Sequence, residues 1–222
     1  MSYLATWQGK LRIGIDHAVA ASQWADRTED TRLRAYTADV AARAYAADGQ
    51  RDACLTALDT AHTVLTMADD QTPSYRGLFS GLDRRLIVAA QQVFSKIDNA
   101  ALNKPHSTYD EAIHISIRGG CHLELGDADR AVSYAQQSLE TLDRSFARDV
   151  AMTIVDLGEA YVQCTEIDEA ARLFGDAGDI AASHSSARLI GRLEQARADL
   201  QPWQHTTAVR TLDDRLASYG LA

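Results

Sequence analysis

Residues 154–177 read IVDLGEAYVQCTEIDEAARLFGDA, and this stretch decides the fold. Small residues stand where two helices would cross, Gly158 in the first half and Ala170 in the second. Tyr161 and Phe174 follow them at helical spacing, so each aromatic ring can fill the space beside a small residue. The pattern predicts two antiparallel helices joined by a short turn.

The spacing of these small and apolar residues resembles that of a tetratricopeptide repeat. The positions that carry the resemblance are Leu157, Gly158, Tyr161, Ala170, Phe174 and Ala177. One such hairpin cannot bury its own apolar face, so the resemblance implies stacked neighbours.

Neighbouring hairpins recur at a period of 39 residues. Ala131 lies 39 residues before Ala170, and Ala53 lies two further periods before Ala131. The period is longer than the roughly 34 residues of the standard repeat, so we expect longer helices. The intervening position is Gln92, where the pattern has decayed, and the outer counterparts are Gly14 and Val209.

The whole chain, 1–222, is predicted to be a single all-α domain, a tetratricopeptide-like α-solenoid of about five helical hairpins. A hydrophobic content of 46% with three prolines is typical of such a helical chain. The predicted hairpins are 29–68, 75–97 (degenerate), 108–142 and 146–180, followed by capping helices 183–200 and 206–219. The last helix carries an apolar stripe of Val209, Leu212, Leu216 and Tyr219, and we expect it to pack on helix 183–200.

Composition and motifs exclude several function classes. No apolar run reaches the ~18 residues that span a membrane, and no secretory signal is visible, so we expect a cytoplasmic protein. The net charge of −9 argues against a broad nucleic-acid surface. The odd number of widely spaced cysteines predicts free thiols: Cys54, Cys121 and Cys164.

Catalytic and metal-binding patterns are missing from the sequence. The segment GLFSG, 77–81, places its serine one residue too late for a nucleophile elbow. His114 and His122 could share a helix face, but Arg118 between them disfavours a metal ion, so packing or solvent-facing histidines are expected. We therefore predict no catalytic residues, no cofactor and no metal.

The first helices of the hairpins are expected to line a concave groove. Aligning Ala41, Gly119 and Gly158 places small and apolar residues with scattered polar groups on this lining. Such a lining favours a protein or peptide partner, or a small apolar ligand. The alternative is that neighbouring helices cover these positions. The candidate partner-binding residues are Tyr45, Ser116, Glu124, Glu159 and Gln163.

Two terminal segments extend the resemblance. WQGKL at 7–11, WAD at 24–26 and LRAY at 33–36 look like the entry to the helical-repeat sensory region of actinobacterial Xre-type helix-turn-helix regulators. AVRTLDDRL at 208–216 is similar to the way those regions end. Members of that family carry a DNA-binding helical bundle before this region. No helix-turn-helix is found here, so DNA binding is not carried over to this chain.

A more distant resemblance is to the peptide-sensing repeat regulators and phosphatases of Gram-positive quorum systems. Those proteins grip a peptide backbone with asparagines in the groove. This sequence has two asparagines, Asn99 and Asn103, both in or beside a predicted loop, which argues against a peptide held in that way.

These resemblances imply a non-enzymatic sensory or regulatory module of a bacterial transcriptional regulator, which binds a ligand or partner in its groove. The alternatives are a plain scaffold for protein–protein interaction and a peptide-responsive, phosphatase-like effector. We expect no direct contact with nucleic acid or membrane, and a homodimer remains open.

Overall fold

The computed structural model describes residues 5–6, 8–28, 30–67, 111–183 and 186–220. Of these residues 83% are helical, and none of them is in a strand, which confirms the predicted all-α class. The degenerate hairpin predicted at 75–97, with Gln92, lies outside the described residues, as do Asn99 and Asn103.

Nine helices occur in the described part of the chain. They are α1 Leu11–Ala25, α2 Thr31–Ala47, α3 Arg51–Thr66, α4 Glu111–Glu124, α5 Ala128–Thr141, α6 Ala147–Gln163, α7 Ile167–Ser183, α8 Ala187–Asp199 and α9 Thr207–Ser218. A 3-10 turn at Gln201–Trp203 precedes α9, with Pro202 near its start. Within the described ranges, no helix is both long and apolar enough to cross a membrane.

The chain divides into two compact units. The first contains Met1–Ala44 and Leu55–His114, and the second contains Tyr45–Cys54 and Ile115–Ala222. The single domain 1–222 and its hairpin boundaries stay a prediction.

The second unit contains three helix-to-helix turns of the same construction. In each, the amide at one position donates to a carbonyl three residues back, and the next amide donates to a carbonyl five residues back. This is the Schellman arrangement, which requires a left-handed residue after the first helix. Gly49 and Gly126 supply it at φ of 72° and 71°, and Thr165 occupies the same position at φ of 65°.

Helices α6 and α7 form the centre of the second unit. A β-carbon added at Gly158 would lie 2.8 Å from Cδ1 of Phe174, so the ring occupies the space that glycine leaves. Ala170 is fully buried in the same seam. Helix α6 also contacts α5 and α8, and α7 also contacts α8 and α9. The helix crossing therefore uses the residues that the sequence pattern indicates.

The position of α9 corrects one expectation. It packs chiefly on α7 rather than on α8. Added β-carbons at Gly175 and Gly178 would lie 3.1 Å from Cδ of Arg215 and 2.8 Å from Cδ2 of Leu216, so these glycines form a notch that α9 fills. The contact with α8 includes an ion pair between Arg197 and Asp213.

Three members of the predicted stripe on α9, namely Val209, Leu212 and Leu216, are buried. Tyr219 is not part of this buried stripe, because 41% of its surface is exposed. Its hydroxyl instead donates a hydrogen bond to Oδ1 of Asp179 in α7, at 2.8 Å. The apolar stripe is therefore shorter than expected, and the tyrosine adds a polar contact at the end of the helix.

Candidate functional site

Polar side chains join the first helices of successive hairpins in the second unit. The hydroxyls of Ser116 in α4 and Thr153 in α6 are hydrogen-bonded at 3.0 Å. At the other end of the same helices, Nε2 of Gln163 donates to the carbonyl oxygen of Leu123 at 3.1 Å. We call the surface across α4, α6 and α8 the polar face, defined by Ser116, Gly120, Asp156, Glu159, Gln163, Gly191 and Arg192.

Arg192 lies at the centre of the charged part of this face. Its Nη2 donates to Oδ1 of Asp156 at 2.9 Å and to Oε2 of Glu159 at 2.7 Å. All three side chains are mostly buried, with exposed fractions of 27%, 18% and 21% for Arg192, Asp156 and Glu159. Two carboxylates of α6 thus hold one guanidinium of α8 in a fixed position.

The cluster has an unusual acid. Burial raises the pKa of Glu159 from 4.5 to about 7, because desolvation of the carboxylate outweighs the attraction of Arg192. Asp156 and Asp199 raise the pKa further by their negative charges. Glu159 therefore exchanges a proton close to neutral pH, although it accepts a hydrogen bond from a cation.

The basic members of α8 respond in opposite ways. Desolvation opposes the charge on Arg192, yet Asp156 and Glu159 together hold its pKa above the ordinary value. Burial lowers the pKa of Arg188, one turn earlier, and the charge of Arg192 lowers it further. The positive charge of Arg192 therefore disfavours the charged form of Arg188, while the carboxylates of α6 stabilise the charged form of Arg192.

Two glycines of the face have no packing explanation. A β-carbon at Gly191 would meet no atom within 4 Å, and one at Gly120 would meet only Oδ2 of Asp156, at an ordinary 3.6 Å. A glycine inside a helix costs about 1 kcal/mol relative to alanine. By contrast, a β-carbon at Gly119 would lie 3.3 Å from the amide nitrogen of Ala135, so close packing requires that glycine. Gly120 and Gly191 leave helix backbone accessible on either side of the charged cluster.

Three of the five partner-binding residues predicted from the sequence lie in the polar face, and two do not. Ser116, Glu159 and Gln163 take part in the polar face, with the contacts given above. Glu124 is exposed at the end of α4. Tyr45 is half-buried, and its carbonyl oxygen accepts the amide of Gln50 in the first Schellman turn.

Sequence reasoning missed Asp156, Thr153 and Arg192. The spacing of Asp156 and Glu159 signals two acids on one helix face, but their cation lies on α8, which carries no hairpin signature. The lining between α6 and α8 is consequently charged, whereas the sequence led us to expect small and apolar residues with scattered polar groups there.

Two buried histidines lie outside the polar face, one in each unit. In the first unit, Nδ1 of His114 lies 3.0 Å and 3.1 Å from the two carboxylate oxygens of Asp39, and the ring of His62 stacks on it. In the second unit, His122 stacks on Tyr134, and burial lowers the pKa of His122. Each ring is packed against an aromatic neighbour, as a packing histidine would be. Across the described ranges, no group of three or more metal-ligating side chains is arranged to hold an ion.

Comparison with known proteins leaves the family open. No protein-family model matches the chain, and no curated protein matches it significantly. The likeness to tetratricopeptide repeats therefore depends on the residues and turns of this chain.

Proposed function

We propose that this chain is a non-enzymatic interaction module, a tetratricopeptide-like α-solenoid that binds a protein or peptide partner across the polar face. Its place is the sensory region of a bacterial transcriptional regulator, as the resemblance at both ends of the sequence implies. In that role it acts in the cytoplasm and transmits binding of a partner without contacting DNA.

Regular recurrence in the second unit supports the solenoid. Helices α5, α7 and α9 begin at residues 128, 167 and 207, close to the period of 39. Ala131, Ala170 and Val209 stand at the third or fourth position of these helices and are 2%, 0% and 0% exposed. Helix α6 contacts α8, and α7 contacts α9, so equivalent helices are neighbours. That adjacency is what stacked hairpins produce.

The arrangement of Arg192 with Asp156 and Glu159 carries the binding proposal. A guanidinium has five N–H donors, and the two on Nη2 are used by the carboxylates. Among the described residues, none accepts from Nε or Nη1 of Arg192. These donors stand beside carboxylates with unused lone pairs, and Gly120 and Gly191 let another backbone approach closely. A peptide main chain, with both amides and carbonyls, matches this mixture of donors and acceptors.

A plain scaffold is the second candidate, and one observation favours it. The same ion pairs tie α6 to α8, so they would also stiffen a scaffold whose partner binds elsewhere. The two functions differ in whether the polar face itself must stay open.

A substitution at Gly191 separates the two functions. We expect Gly191→Trp to fold normally, because a side chain there meets open space, and to obstruct the face. Ser133→Trp, at an exposed position of α5, is the matched control. Peptides would be selected from a random phage library on the parent protein and measured by fluorescence anisotropy. We expect binding about tenfold weaker or worse for Gly191→Trp, a change of ~1.4 kcal/mol, and no change for the control. Equal binding by all three proteins would assign the selected peptides to another surface and favour the scaffold.

A further inference from the structure

The carboxylates of the polar face outnumber the cation that they hold. Oδ1 of Asp156 and Oε2 of Glu159 both accept from the same nitrogen, Nη2 of Arg192. In the described part of the chain, no other cation pairs with either acid. One guanidinium carries one positive charge, whereas the two carboxylates carry two negative charges when both are ionised. The cluster is therefore one positive charge short.

A proton compensates the second carboxylate in the free protein. When two acids share a site, their like charges keep one of them protonated to a higher pH. Glu159 is that acid, because burial raises its pKa to about 7 although the charge of Arg192 lowers it, and the charges of Asp156 and Asp199 add to the rise. At neutral pH, about half of the molecules therefore carry a proton on Glu159.

The unused oxygens of the two acids lie where a side chain can enter. Oδ2 of Asp156 and Oε1 of Glu159 accept no hydrogen bond from any described residue. A β-carbon at Gly120 would lie 3.6 Å from Oδ2 of Asp156, so α4 has no side chain at the point that this oxygen faces. The other neighbours of α6 meet it elsewhere, since α5 donates a hydrogen bond to Tyr161 and α7 packs on Gly158.

The charge of the whole chain favours a basic partner for this site. The chain carries −9 at neutral pH, and opposite net charges attract a partner over a long range and speed its association. A lysine or arginine side chain of the partner would also supply the positive charge that the cluster lacks. The local and the global charge thus select the same class of partner.

We propose that the polar face binds a basic peptide segment, of which one lysine or arginine enters over Gly120, meets Asp156 and Glu159, and displaces the proton of Glu159 to solvent. This assignment extends the proposed function and depends on it, because it names the class of partner that the polar face binds. The cation of the partner then takes the place of the proton. Binding is consequently linked to proton release, so the affinity rises as the pH increases through neutrality.

Selection from three peptide libraries tests the charge of the partner. The libraries differ at one central position, which is lysine, methionine or glutamate, and their other positions are random but uncharged and free of histidine. Each library is selected at pH 8 on the parent protein, after removal of the peptides that bind Gly191→Trp, in which the polar face is obstructed. We expect the lysine library to be enriched about tenfold or more over the other two.

The result of the selection separates this assignment from the proposed function. Enrichment of the methionine or glutamate library to the level of the lysine library would overturn the basic class of partner and leave the polar face as a binding site. If no library gave peptides that distinguish the parent from Gly191→Trp, the proposed function would be overturned together with the assignment.

The pH dependence of binding tests the displacement of the proton. An enriched lysine peptide is measured by fluorescence anisotropy at pH 6, where most Glu159 is protonated, and at pH 8, where most is ionised. We expect the parent to bind up to about tenfold more tightly at pH 8. Glu159→Gln should bind equally at both values, and Glu140→Gln, at an exposed position of α5, should keep the dependence of the parent.

Two results of this measurement would contradict the displacement of a proton from Glu159. The first is a parent whose affinity stays constant or falls between pH 6 and pH 8. The second is a Glu159→Gln variant that keeps the pH dependence of the parent. The measurement on the parent requires no substitution, so it remains decisive even if Glu159→Gln is unstable.

Discussion

Glu159 is a mostly buried acid whose environment differs from that of an ordinary surface carboxylate. Its pKa of about 7 in the folded chain, against an ordinary 4.5, means that the folded state binds more protons than the unfolded state between these pH values. The free energy of unfolding must then fall as the pH rises from 4.5 to 7, by up to about 3 kcal/mol. We predict that Glu159→Gln loses this slope.

Urea unfolding at pH 5 and at pH 7 measures the effect of Glu159 directly. Glu140→Gln, at an exposed position of α5, is the control and should keep the slope of the parent. If Glu159→Gln shows the same pH dependence as the parent, the carboxylate is ionised throughout and Arg192 outweighs desolvation.

Thr165 bears a cost that two equivalent positions avoid. It has φ of 65°, where Gly49 and Gly126 have 72° and 71° in the same turn. A non-glycine residue in this conformation costs about 1–2 kcal/mol. Replacing it by glycine removes this cost, but part of the stability gained is lost because glycine has greater freedom in the unfolded chain. We predict that Thr165→Gly raises the free energy of unfolding by about 1 kcal/mol and that Gly126→Ala lowers it by a similar amount. Chemical denaturation would refute this if Thr165→Gly were no more stable than the parent.

At the scale of elements, the crossing of α6 with α7 gives a prediction with an internal control. Gly158→Leu should destabilise the chain by about 3 kcal/mol or more, because the side chain enters the space of Phe174. Gly191→Leu should be neutral or slightly stabilising, because it meets open space on α8 and improves helix propensity. Thermal unfolding of both variants, compared with the parent, measures these two effects. Similar melting temperatures for the two would show that the crossing is not closely packed at Gly158.

The same crossing shows what the sequence can predict and what it cannot. Gly158 and Phe174 belong to one hairpin, and their spacing is fixed by two helices and a short turn, so their contact is readable from the pattern. The partner of Glu159 lies on another hairpin, and nothing in the local pattern around Arg192 indicates which helix it faces. The expectation that α9 packs on α8 was wrong for the same reason. Gly175 and Gly178 are visible as small residues, but the helix that fills their notch depends on how the hairpins stack.

At the scale of the whole molecule, the prediction that α9 caps the stack has a consequence for solubility. Its apolar side shares one core with Leu189, Leu193 and Leu200. Removing residues 203–222 would expose this core and the notch of α7, and an exposed apolar patch of that kind promotes association. We predict that the truncated chain self-associates or aggregates, as light scattering would show. A truncated chain that remained monomeric and equally stable would make α9 a separable segment rather than a cap.

Net charge sets the last expectation for the molecule. The chain carries −9 at neutral pH, and Arg192 in the polar face and Arg215 between α7 and α9 are each paired with acids. Binding to the phosphate backbone depends on cations that can replace the counterions of DNA. An acidic chain in which these two arginines are paired with acids is therefore expected to bind DNA weakly. We predict that the purified chain gives no sequence-specific gel shift with duplex DNA at physiological salt. A specific shift that Arg192→Gln and Arg215→Gln leave unchanged would locate a nucleic-acid surface elsewhere in the chain and would end the view that this module acts only through a protein or peptide partner.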